Sequence, residues 1–402
     1  MPLVEYPNIH MCIMKFSNVE FAVNSSSNSP TFKTHDIIDG EIVFTPHQET
    51  DIEDISITFQ GMTRIEAANM STHLPLPFNR LQKPFLSMEL PMYDYLRGTK
   101  TLKPDKRYRI PFKFVVPNEL PIHACHHQCA NHQIQQEHLL LPASLSYRAT
   151  KSHEIHDMSP EMAEVIYSIN FVLWQRDGKA GRSKKIQECT HPVQILPTRD
   201  ENPPIFVPRK NKFYKLLAEK SLSTGILRNA RGKLTACSAQ PPAIQLQILQ
   251  PTNTDASTSL NITLQFDPSH LGQLPPSLLA VEFQLRAMTF FGLESWQDYP
   301  DLIDVSTWGP RREFWSDYVT LAPNKEIKLD WKSQEEVEHT IFTASIEASV
   351  SLPTYRRYPP TFHSCLVSRA YALKATLFYR VDGKSRGRSS ISVSVPVEIC
   401  AT

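Results

Sequence analysis

Apolar and polar residues alternate along most of this chain, and no other feature constrains its fold as strongly. In DISITFQG, Ile55, Ile57 and Phe59 fall on one face, with Ser56, Thr58 and Gln60 on the other. A period of two sends successive side chains to opposite faces of an extended strand, so the pattern predicts half-buried β-strands. The same habit aligns Tyr108, Ile110, Phe112, Phe114 and Val116 in YRIPFKFVVP, and Tyr167, Ile169, Phe171 and Leu173 in VIYSINFVLWQ. It returns later with Ile244, Leu246 and Ile248, then Ile262, Leu264 and Phe266, then Val281, Phe283 and Leu285. Near the end it aligns Tyr371, Leu373, Ala375, Leu377 and Tyr379, and finally Ile391, Val393, Val395, Val397 and Ile399. The VDGKSRGR between these last two runs has the Asp-Gly pair of a hairpin connection.

One apolar and one polar face per strand suits antiparallel sheets stacked face to face. Proline (32) far outnumbers glycine (12), which argues against long helices and for short strands joined by loops. Two short helices are expected. One is SPEMAEV, with a Ser cap at 159 and Pro160 in the first turn, and the other is KFYKLLAEKSL. At 402 residues the chain exceeds the ~250–300 at which a single core stops growing, so two domains are expected. The proline-rich, charged stretch ILPTRDENPPIFVPRKNK, residues 195 to 212, is the predicted seam. The expectation is therefore an all-β chain with one antiparallel sandwich over residues 1–200 and a second over residues 201–402.

Lys plus Arg (42) balances Asp plus Glu (41), so no overall field draws the chain to nucleic acid or an anionic bilayer. The seven cysteines, at 12, 125, 129, 189, 237, 365 and 400, are odd in number and scattered, unlike a disulfide framework. The opening MPLVEYPNIHMCIMKF does not read as a signal peptide, and no window approaches ~18 consecutive apolar residues. A reducing, cytoplasmic setting is expected.

Chemistry-bearing residues concentrate in LPIHACHHQCANHQIQQEHLLLPASL, residues 120 to 145. A tetrahedral zinc site there would draw on Cys125, Cys129, His132 and His138, or on His123, His126 and His127. The separations approach those of structural sites without matching a standard finger, and Glu137 is the one carboxylate after Glu119 in the window. The plainer reading is a long surface loop with a short helical turn. Neither a catalytic residue, a metal nor a cofactor is expected from it.

Two basic clusters, Arg209, Lys210, Lys212 and Lys215, and Lys384, Arg386 and Arg388, read as solvated runs that can also meet phosphate groups. Trp296, Trp308 and Trp315 share one irregular stretch, which is either a partner-facing patch or an insertion folded back on its sheet. Glycine is too scarce for a phosphate-cradling loop, and nothing resembles a nucleophile elbow.

The order of several segments resembles the arrestin family, in particular the fungal arrestin-like (alpha-arrestin) proteins. The segments are IIDGEIVFTPHQETDIEDISITFQG, RYRIPFKFVVPNELP, HLLLPASL, GKLTACSAQPPAIQL and PPTFHSCLVSRAYALKATL, spanning about Asp36 to Tyr379. That resemblance implies two immunoglobulin-like β-sandwiches in tandem, and a non-enzymatic adaptor that binds cytoplasmic tails of membrane transporters or receptors. It also implies a link to a WW-domain ubiquitin ligase in endocytosis and protein trafficking, with recruitment from the cytoplasm to the plasma membrane or endosomes. Fungal relatives lengthen the connection after the second segment and place Cys and His in it, which puts Cys125, His127 and His138 in matching positions. The family recruits its ligase through Pro-Pro-x-Tyr, often in a tail after the second domain, and no strict copy is present here. The nearest is LPTY, which makes Leu352, Pro353 and Tyr355 the candidate docking residues. The alternative for LPTY is a bend between strands with Tyr355 packed locally. PPTF, at Pro359, Pro360, Thr361 and Phe362, lacks the hydroxyl. Other readings are a coat or sorting scaffold of the same fold with no ligase link, and a zinc-dependent hydrolase built on the Cys/His loop.

Overall fold

The structure, a computed structural model, describes residues 9–13, 17–24, 31–67, 79–91, 101–146, 156–176, 183–224, 229–247, 256–309, 311–323, 327, 329–336, 339–381 and 388–402. Nearly all of its regular structure is strand, so the chain is all-β. It divides into two units, the first mainly from residues 1–128, 135–146 and 161–198, the second mainly from residues 147–160 and 199–402.

In the first unit the chain forms β1 (Ile9–Ile13), β2 (Ser17–Val23), β3 (Thr31–Phe32), β4 (Ile37–Pro46) and β5 (Thr50–Asp51). There follow β6 (Asp54–Ala67), β7 (Asn79–Glu89), β8 (Thr101–Leu102) and β9 (Tyr108–Val115). A 3-10 turn (Ile122–Ala124) and a short helix α1 (His132–Leu139) separate these from β10 (Ala163–Arg176) and β11 (Ser183–Ile195). One sheet runs β1-β2-β4-β9 and another β3-β11-β10-β6-β7, β5 pairs with β8, and among the described residues of this unit only β3 joins its neighbour in parallel. Their inner faces meet through aromatic rings, Phe44 against Phe171 at 5.3 Å and Phe59 against Phe114 at 5.9 Å. The glycine of the DGEIVF segment has a packing reason. A Cβ on Gly40 would collide with the Ala22 carbonyl on β2 and with the Phe112 ring on β9.

The second unit contains β12 (Leu217–Thr224), β13 (Asn229–Ser238), β14 (Ile244–Leu246), β15 (Ser257–Pro268) and β16 (Ser277–Gly292). Next come β17 (Arg312–Leu321), β18 (Lys332–Glu336), β19 (His339–Ser351), β20 (Phe362–His363) and β21 (Val367–Arg380). The last strands are β22 (Ser389–Pro396) and β23 (Ile399–Ala401). Sheet β12-β13-β15-β19-β18 and sheet β17-β16-β21-β20, with β22 also paired to β21, share one core through Leu234, Leu264, Phe266, Leu285, Leu373 and Val393. β14 and β23 form a separate parallel pair. The alternating residues named from sequence are buried where they are described, except Tyr108 and Val281, which are half-buried, while Ile248 and the 382–387 connection lie outside the described residues.

Both expected helices are absent at their positions, and the reasons are local. At SPEMAEV the Asp157 carboxylate accepts from the Ser159 amide and hydroxyl, Met158 takes a positive φ of 57°, and the chain runs straight into β10. Ser159 thus closes a turn rather than capping a helix. At KFYKLLAEKSL the chain becomes β12, paired with β13 from Leu217↔Cys237 to Thr224↔Asn229, and sheet pairing overrides helix propensity.

A buried arginine organises one end of the second unit. Arg369 on β21 is fully buried, and its guanidinium donates to the carbonyls of Met158 (2.9 Å) and Asp157 (2.9 Å) and to the Thr289 hydroxyl (2.7 Å). It lies 5.0 Å from the Tyr371 ring centre, and the Tyr371 hydroxyl donates to the Pro359 carbonyl at 2.6 Å. The Arg and Tyr of the SRAYAL segment are therefore packing residues.

Candidate metal centre

Cys125, His127 and Cys129 sit two residues apart, and in extended chain alternate residues face the same side. The 3-10 turn ends at Cys125, whose φ of −123° and ψ of 89° leave the helical region, and from there buried or half-buried Cys125, His127 and Cys129 alternate with exposed His126 and Gln128. Helix α1 brings the fourth residue, with His138 in its last turn. The Asn131 side chain accepts from the Ile134 amide at 3.0 Å, Ile134 is buried, and the Leu120 amide donates to the Leu139 carbonyl at 2.7 Å. The first bond caps the helix's own first turn, and the second ties its last turn to Leu120, just ahead of the cysteines.

The two thiols and two imidazoles converge, with one donor atom from each of Cys125, His127, Cys129 and His138 within 4.8 Å of the others. Cys125 Sγ lies 3.4 Å from His127 Nε2 and 3.7 Å from His138 Nδ1. His127 Nδ1 is 3.0 Å from the Gln128 carbonyl, which only accepts, so Nδ1 is the donor there and Nε2 is the ring nitrogen that faces the cluster. Cys125 and His138 are buried, and His127 and Cys129 half-buried. Burial pushes the His138 imidazole down to about 4, with the His127 charge adding to it, so His138 is neutral near pH 7. Two thiols and two imidazoles suit a borderline-soft divalent cation.

The membership differs from both sets weighed from sequence. His132 is exposed at the start of α1 and lies outside the cluster, as do His123 and His126, whose Nδ1 pairs with the His123 carbonyl at 2.9 Å. Six residues of helix separate His132 from His138, which at 3.6 residues per turn turns them well apart. The signal for His127 was present as Cys-x-His-x-Cys. Glu137 is buried beside the site but is not one of the four.

Elsewhere, chemistry-bearing groups are used in packing. Asp301 and Tyr214 share a buried hydrogen bond in the second unit, with the Tyr214 hydroxyl donating to Oδ2 at 2.8 Å. Burial pushes the Asp301 carboxyl up to about 6 from an ordinary 3.8. A raised folded-state value means that Asp301 favours the fold fully below about pH 4, and that this contribution is lost as pH rises through 6. The expected loss is about 3 kcal/mol, and in Asp301→Asn that segment of the stability–pH curve flattens, as urea melts at pH 4 to 7 would read out. Burial likewise pushes the Cys400 thiol up to about 12, which leaves it no thiolate for attack.

Of the three tryptophans, Trp296 is fully buried and Trp308 packs on it edge-on at 5.3 Å, so two rings fold back. Trp315 stays 43% exposed on β17, near Phe314 at 38% and Tyr318 at 64%. Within LPTY, Leu352 is core, the Pro353 carbonyl accepts from the Tyr358 hydroxyl at 3.1 Å, and Tyr355 is 63% exposed at a turn. Local packing of Tyr355 is therefore not what the fold does. Arg209, Lys210, Lys212 and Lys215 are exposed, with Lys212 paired to Asp304 at 3.2 Å. Arg388 pairs with Glu282 at 3.2 Å, and Lys384 and Arg386 lie outside the described residues. No helix among the described residues is long and apolar enough to cross a membrane. No protein-family model matches the chain, and no curated protein matches it.

Proposed function

We propose that this protein is a non-enzymatic adaptor of the arrestin-like type, which binds cytoplasmic tails of membrane transporters or receptors and links them to ubiquitin ligase-dependent endocytosis. The observation that carries this reading is strand β17. Among the described residues it pairs with β16 alone, and it exposes Phe314, Trp315 and Tyr318. An unpaired strand edge offers main-chain hydrogen bonds to an extended tail, and exposed aromatic rings supply anchoring area beside it. The all-β architecture and the ordered resemblance of segments from Asp36 to Tyr379 support the same role. The Cys/His cluster supports it too, because a catalytic metal needs an open position and here four protein donors converge.

For the ligase link, Tyr355 is the residue free to enter a WW groove, since Leu352 is buried. That burial favours a second reading, a coat or sorting scaffold of the same fold with no ligase. Proximity labelling by the full chain in its native cell tests both. Transporters and a WW-domain ligase are expected among the labelled proteins. Trp315→Ser with Tyr318→Ser should lower transporter labelling about fivefold or more, and Tyr355→Ala should lower the ligase signal alone. A labelled set without membrane proteins overturns the adaptor reading. Transporters without ligase, unchanged by Tyr355→Ala, select the scaffold.

A further inference from the structure

We propose that Cys125, His127, Cys129 and His138 form a closed, structural zinc site that fastens the long connection between β9 and β10. The argument is geometric and independent of the adaptor role. Around Zn²⁺ with bonds of about 2.3 Å to sulfur and about 2.0–2.1 Å to nitrogen, tetrahedral angles set each sulfur about 3.6 Å from each nitrogen. The two separations from Cys125 Sγ, 3.4 and 3.7 Å, bracket that value. The 4.8 Å limit on every donor pair leaves the four atoms a short movement from a common centre.

The surroundings fit as well. His127 has its outer nitrogen on the Gln128 carbonyl, the support that a ligating histidine commonly receives. Two thiols and two imidazoles select zinc over magnesium or calcium, which take oxygen donors. Binding would release the two thiol protons to solvent and leave two thiolates on the metal, so the neutral charge of Zn(Cys)₂(His)₂ suits a half-buried place. Helix α1 has only 8 residues, a length that is marginal in isolation, and a bond from its last turn to the preceding loop would offset that.

The test uses the full chain purified without added metal. Elemental analysis should find about one zinc per chain, falling to about a tenth or less in Cys125→Ser and in His127→Gln, and unchanged in His132→Gln. His127 is half-buried, so its variant guards against a mere folding failure at the buried Cys125. With Co²⁺ in place of zinc, intense visible bands together with thiolate-to-metal charge transfer should report a tetrahedral site holding two sulfurs. Chelation should raise protease cleavage within residues 120–145 about tenfold, as expected when a local fastening opens. Absence of zinc together with a Co²⁺ spectrum lacking the charge-transfer band overturns the proposal. Zinc retained in both ligand variants, or a Cys125–Cys129 disulfide in the protein as isolated from a reducing cell, overturns it as well.

Discussion

Arg369→Ala is expected to lower the unfolding temperature of the second unit by about 10 °C, the equivalent of about 3–5 kcal/mol. The side chain is fully buried and its guanidinium serves three acceptors, the Met158 and Asp157 carbonyls and the Thr289 hydroxyl. Truncation opens a cavity and strands two backbone carbonyls away from water, each at about 1–3 kcal/mol. Lysine keeps the charge but lacks the planar fork that reaches two carbonyls at once, so Arg369→Lys should still cost about 2 kcal/mol. Thermal melts of both variants check this. A loss under about 1 kcal/mol for the alanine variant would mean that the guanidinium merely fills space.

Trp296→Ala should cost about as much, roughly 3–5 kcal/mol, through the loss of a large buried ring. Trp296 stands between the Trp308 ring at 5.3 Å and the Arg312 guanidinium at 5.0 Å, and its amide donates to the Cys365 carbonyl at 2.8 Å. It belongs to a small core with Phe213, Tyr214, Met288 and Phe290, separate from the main core of the unit. Its indole nitrogen has no partner among the described residues, so Trp296→Phe deletes an unpaired donor along with part of the ring. The phenylalanine variant should accordingly lose only about 1–2 kcal/mol. Chemical denaturation of the two variants side by side separates packing from hydrogen bonding. Equal losses would refute the assignment of the cost to ring volume.

Period-two patterning carried most of the fold because each strand has one buried face, and that burial is written directly in the residues. The pattern even held an unused warning about LPTY. Ala344, Ile346, Ala348 and Val350 are the buried positions of β19, and Leu352 simply continues their phase into the core. What the pattern could not decide was the two short helical signals. Ser159 satisfies its capping chemistry in a turn with Asp157, and β12 owes its form to β13, a partner that begins only after it in sequence. In the Cys/His stretch the region was legible but the ligand set was not. Choosing between His127 and His132 needs the phase of α1 relative to an irregular loop, which depends on tertiary anchoring at Ile134 and Leu139.

The grip of Arg369 on Met158 joins positions 211 residues apart along the chain. During synthesis, the stretch carrying Met158 leaves the ribosome long before its partner and must wait, its carbonyls served by water or a chaperone. Closing so wide a loop late costs several kcal/mol of chain entropy and slows the last step of assembly. A nascent chain paused anywhere before β21 would thus expose an unfinished second unit, which makes the passage of residue 369 a natural checkpoint in the maturation of this protein.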